Sequence, residues 1–183
     1  GCAKNEISIE RHDGYTIVSQ TRGPELGYSE TSGVIILNID GFAFKDLDKD
    51  GELDIYEDWR RPVSERAEDL AAQLPIERIC GLMLYSSAVD AMTAELTTKQ
   101  AGYLKDDYIR HMLVRNIADA ATGAAWSNRV QVFCEAEPFG IPSNNSSDPR
   151  NYTNGQANTN TYQPEPDGEF DPDGTSKISL WPR

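Results

Sequence analysis

The sequence predicts an α/β fold in which a strand–helix–strand unit follows a small β-rich extension and an acidic loop. Three observations carry this. Residues 7–18 and 33–44 alternate apolar and polar side chains and each contains Asp-Gly, a hairpin signal. Residues 46–57, DLDKDGELDIYE, place acidic side chains at alternate positions, a glycine sixth and a glutamate twelfth. Residues 111–117, HMLVRNI, are a short apolar run suited to a buried parallel strand, followed by a helical pattern and a second strand-like segment.

Taken in order, residues 1–45 form the β-rich extension. Residues 46–57 match a twelve-residue calcium loop. Such a loop needs oxygens at positions 1, 3, 5, 7, 9 and 12, and a glycine at 6 for the sharp turn. Here these are Asp46, Asp48, Asp50, the Glu52 carbonyl, Asp54 and Glu57, with Leu53 as an apolar anchor. Unpaired carboxylates this close repel one another without a cation. The implied cofactor is Ca²⁺. The loop is entered from strand-like sequence and no second full match exists, so it is expected to clip the extension to the first helix. DGEFDPDG, 167–174, is acidic, but its spacing is that of turns.

Residues 58–183 form the remaining unit. RPVSERAEDLAAQL reads as a helix with Pro62 in its first turn and an apolar stripe of Val63, Ala67, Leu70, Ala71 and Leu74. Pro75 ends it. A second helix is expected over 76–85 and a third over 96–110. Asp119 caps a helix over 120–136, on which Trp126, Val130, Phe133 and Cys134 share one face. GIPSNNSSD then supplies the next strand and a polar cluster. Residues 151–177 have almost no aliphatic content and read as a long polar loop.

The formal net charge of −13 argues against nucleic acid and anionic membrane as partners. No run approaches the ~18 apolar residues of a membrane helix. Cys80 and Cys134 fall in helix-like apolar patterns and are expected to be small core residues. With Cys2 they make an odd count that specifies no disulfide framework. Cys2, in GCAKN, is either the remnant of a lipoprotein acylation site or a tag remnant. His12 and His111 match no metal or triad spacing and read as structural.

Trp126, Asn128, Gln131 and Glu135 on one helix, then Gly-Ile-Pro, then Asp148 six residues after Pro142, resemble the N-terminal barrel of glycoside hydrolase family 3, the β-glucosidase type. The calcium loop with YEDW and the helices after it resemble a bacterial subgroup, and ISLWP resembles the lead into the third barrel strand. The resemblance covers most of residues 42–183 and implies the first part of a (β/α)₈ barrel. It also implies that Asp148, with Arg150 and Asn151 beside it, binds sugar hydroxyls; the competing reading of Asp148 is a turn residue before Pro149. Asn151 stands where the family often has histidine, a departure confined to the local sugar contacts.

The implied activity is that of an exo-acting retaining β-glycosidase hydrolysing terminal sugars from β-glucosides or oligosaccharides. The acylation reading of Cys2 implies an exported protein, periplasmic or extracellular, anchored as a lipoprotein. No residue here matches the family's nucleophile or acid/base. Only two barrel strands are evident, so a second polypeptide completing the barrel and carrying those groups is expected. The alternative is a non-enzymatic, calcium-stabilised cell-surface carbohydrate-binding or structural module.

Overall fold

The computed structural model describes residues 4–146 and is a mixed α/β protein built on small sheets and four helices. Cys2, Asp148, Arg150, Asn151, the 151–177 segment and ISLWP lie outside the described residues.

The extension contains both expected hairpins and one further strand. β1 (Ile7–Arg11) and β2 (Tyr15–Gln20) pair antiparallel, with Arg11 opposite Thr16. β3 (Leu26–Ser29) adds to the other side of β2. Its sequence, LGYS, has no clear alternation, so its pairing with β2 is what makes it a strand. β4 (Ile35–Ile39) and β5 (Phe42–Asp46) form a separate hairpin. Asp40 and Gly41 both take left-handed φ, 54° and 80°, as a tight Asp-Gly hairpin turn requires. The Gln20 side-chain amide joins the two sheets by donating to the Ala43 carbonyl and accepting from the Ala43 N–H, each at 3.1 Å. Trp59 stacks on buried Phe44, and its indole N–H donates to the Ala43 carbonyl at 2.9 Å.

α1 (Val63–Gln73) follows the acidic loop, with Pro62 at its cap position. Its stripe is only partly used. No residue within Val63–Gln73 is buried, Val63 is 77% exposed, and of the stripe only Leu74, at the C-terminal cap, is buried. α2 (Ile76–Leu82) is shorter than expected, and Cys80 on it is exposed rather than in the core. The reason is its neighbour: α2 packs through Gly81, where a Cβ would come within 2.5–2.6 Å of the Asp107 and Tyr108 carbonyl oxygens. A residue one position away points about 100° elsewhere on a helix.

Among the described residues the second half holds three parallel strands, one more than the sequence reading found. β6 (Val89–Ala91), β7 (His111–Ile117) and β8 (Asn144–Ser146) lie in that order. α3 (Thr98–Lys105) connects β6 to β7, and α4 (Ala120–Ala136) connects β7 to β8. α3 starts later than expected because Thr97 and Gln100 form a capping box. Asp119 caps α4 as predicted, accepting from the Thr122 N–H at 2.8 Å. The main core lies between this sheet and its helices: Val89, Ala91, Leu104, Met112, Val114, Trp126, Val130 and Cys134, with Ile109. No helix among the described residues is long and apolar enough to cross a membrane.

Candidate functional site

The acidic loop begins on the last residue of β5. Asp46 is 1% exposed, and its carboxylate accepts from the Asp50 N–H at 3.2 Å and the Gly51 N–H at 3.0 Å. Asp48 accepts from the Asp50 N–H at 3.2 Å, and Asp50 from the Glu52 N–H at 2.7 Å. These bonds wind the loop so that one oxygen from each of Asp46, Asp48 and Asp50 lies within 4.8 Å of the others. Glu57, 4% exposed, turns its carboxylate to the N–H groups of Leu47, Asp48 and Asp54 and so closes the loop on itself. Glu52 is exposed.

The loop holds six acidic side chains and a single lysine. That lysine does not neutralise the cluster through a close ion pair. Lys49 Nζ donates instead to the carbonyls of Leu47, Glu135 and Glu137, at 2.9, 3.0 and 3.1 Å. Among the described residues no Lys or Arg forms an ion pair with Asp46, Asp48 or Asp50. Burial, and then the charges of Asp50 and Asp54, raise the Asp48 carboxyl above its ordinary range, against a hydrogen bond from the Asp50 N–H. Burial also raises Glu57, opposed by its three backbone hydrogen bonds. An all-oxygen cluster of three carboxylates, with Lys49 near but in no direct ion pair with them, suits a hard cation such as calcium.

The loop sits at a junction. Tyr56 N–H donates to Asp69 on α1 at 3.0 Å, and Arg66 on α1 donates to the Tyr56 carbonyl at 2.9 Å. Lys49 reaches the end of α4, and the Tyr56 hydroxyl donates to the Phe139 carbonyl at 3.3 Å. The loop therefore touches both α1 and the segment that leads into β8.

The motif residues on α4 divide by role. Trp126 is buried, and its indole N–H donates to Gln100 at 3.2 Å. Glu135 accepts from the Ser29 N–H at 2.7 Å and from Lys45, holding the extension against α4. Gln131 grips the strand entrance: its amide donates to the Ser143 carbonyl at 2.8 Å and accepts from the Ser143 N–H at 3.0 Å. Asn128 is exposed. Arg110, 3% exposed, donates to the Ile141 carbonyl at 2.9 Å, and its own carbonyl accepts from the Asn144 N–H at 2.6 Å. Sequence reasoning missed Lys49, Arg110 and the Gln131 grip as positioning groups, because their partners lie in other elements. His12 stacks on Tyr15 and His111 on Tyr85.

No family model matches this chain. Over 128 residues, 66% of the chain, it is 36% identical to the periplasmic beta-glucosidase/beta-xylosidase of Dickeya chrysanthemi. The chain spans about a fifth of that protein's length, 20%.

Proposed function

We propose that this chain is the N-terminal part of an exo-acting retaining β-glycosidase of glycoside hydrolase family 3, acting on terminal sugars of β-glucosides or β-xylosides. The identity to the Dickeya protein, whose name gives both activities, carries the reading. The parallel sheet with a helix after each of its first two strands agrees with the opening of a (β/α)₈ barrel, whose active sites lie at the C-terminal strand ends. The nucleophile and acid/base that such a barrel needs, about 5–5.5 Å apart, are proposed to come from a second polypeptide that completes it. An exported setting is proposed with the activity, the relative being named periplasmic.

Asp148, two residues beyond the end of β8, is the proposed sugar contact, with Arg150 and Asn151 beside it. A carboxylate makes charge-assisted hydrogen bonds to sugar hydroxyls, and these strengthen as the ring distorts toward the transition state. Calcium is the proposed occupant of the acidic loop, held by Asp46, Asp48, Asp50, the Glu52 carbonyl and Glu57. The ion would supply charge neutralisation and a cross-link, and no step of the hydrolysis passes through it.

The test is an assay of the intact protein on aryl β-glucoside and aryl β-xyloside. Activity on at least one is expected, and inertness toward both would overturn the function. Asp148→Asn should lower turnover by roughly two or more orders of magnitude while leaving the melting temperature unchanged. A near wild-type rate would remove Asp148 from the site.

A further inference from the structure

A polar pair lies toward the C-terminal ends of the parallel strands β6 and β7. Val89 and Ala91 are buried in the core beneath the helices, so alternation along β6 sends Asp90 to the opposite face, where it is exposed. Asn116 has the parity of buried Met112 and Val114 and would join them in the core if β7 ran regularly. It does not. Val89 lies opposite Val114 but Asp90 lies opposite Asn116, which leaves Arg115 as an extra residue on β7. After this bulge Ile117 packs on the core, and Asn116 comes to the face of Asp90, donating from Nδ2 to Asp90 Oδ1 at 2.7 Å. Bulges recur beside active sites because they re-aim a side chain in this way.

The backbone under the pair is fixed by buried groups. The Asp90 carbonyl accepts from Gln100 Nε2 at 2.7 Å, and Gln100 is 3% exposed. The Gln100 side-chain oxygen Oε1 accepts in turn from the Thr97 N–H at 3.0 Å and the Trp126 indole N–H at 3.2 Å. The Ala91 carbonyl accepts from the Ala118 N–H at 3.2 Å, tying the two strand ends together. A buried amide is thus committed to holding the backbone of an exposed aspartate, the kind of support that a binding residue needs.

The geometry points to Asp90 and Asn116 as a hydroxyl-binding pair for the saccharide, an inference that rests on the glycosidase function proposed above. Side by side they offer a carboxylate oxygen, an amide oxygen and a second amide N–H. Adjacent sugar hydroxyls, each both donor and acceptor, match that edge. The bulge at Arg115 is what makes the pair.

The experiment compares the intact wild type with Asp90→Asn and Asn116→Ala on whichever aryl β-glycoside the wild type hydrolyses, and on the corresponding β-linked disaccharide. Each variant should lose roughly 10- to 100-fold in kcat/KM, the range for one hydrogen bond to a charged group. Loss on both substrates assigns the pair to the terminal sugar, and loss on the disaccharide alone assigns it to the next sugar; either supports the inference. Asp90→Asn is isosteric, so its melting temperature reports whether the fold is intact. Monodeoxy aryl glycosides give the second readout. At one ring position wild type and Asp90→Asn should agree within about threefold, because the contact is already missing. Equal losses at every position, or both variants within about twofold of wild type on both substrates, would overturn the pair. An inactive wild type would instead overturn the glycosidase function, and the pair with it.

Discussion

Gly140 shows how much a single position can decide. It takes φ of +57°, and a Cβ there would meet the Leu47 side chain at 3.1 Å and the Leu47 carbonyl at 3.2 Å. Both the backbone conformation and the close approach to the acidic loop therefore disfavour a side chain. Gly140→Ala should destabilise the protein by roughly 1–3 kcal/mol, measured by denaturant unfolding. An unchanged midpoint would mean that Leu47 yields freely. Lys49 works at the same scale in the opposite sense. Burial lowers its pKa while neighbouring acids raise it, and three carbonyl bonds hold it between the loop and α4.

Among the elements, α4 does the most positioning. Through Glu135 it holds β3, through Trp126 it holds α3, and through Gln131 it sets the entrance to β8. Gln131→Ala would leave the Ser143 N–H without its partner and take one donor from the Ser143 carbonyl, at a cost of roughly 1–3 kcal/mol. Amide hydrogen exchange over 141–146 should then speed up while exchange in β1 and β2 stays as it was. Gln131→Glu keeps the acceptor and loses the donor, so it should fall between. Uniform acceleration across the chain would show that Gln131 supports the whole fold and not this strand.

At the scale of the whole molecule, the acidic loop joins three pieces: β5, α1 and the α4–β8 junction. An ion bound there with hundredfold saturation adds about 2.7 kcal/mol to stability by mass action. EDTA should therefore lower the melting temperature, calcium should restore it better than magnesium, and Asp46→Asn should abolish the response. A melting temperature indifferent to EDTA would remove calcium from the loop.

The sequence by itself determined what local rules decide. Asp40-Gly41 specified its hairpin, Asp119 its helix cap, and the apolar run 111–117 its strand, because each signal and its consequence lie within a few residues. The acidic loop was legible for the same reason, since all its carboxylates fall within twelve positions. Tertiary structure alone decided the rest. β3 and β6 are strands because they pair, and Cys80 is exposed because Gly81 takes the packing face. The Asp90–Asn116 pair joins residues 26 apart through a bulge that no local pattern announces. Long-range register depends on the simultaneous packing of several elements, and a single segment carries only its own share of that information.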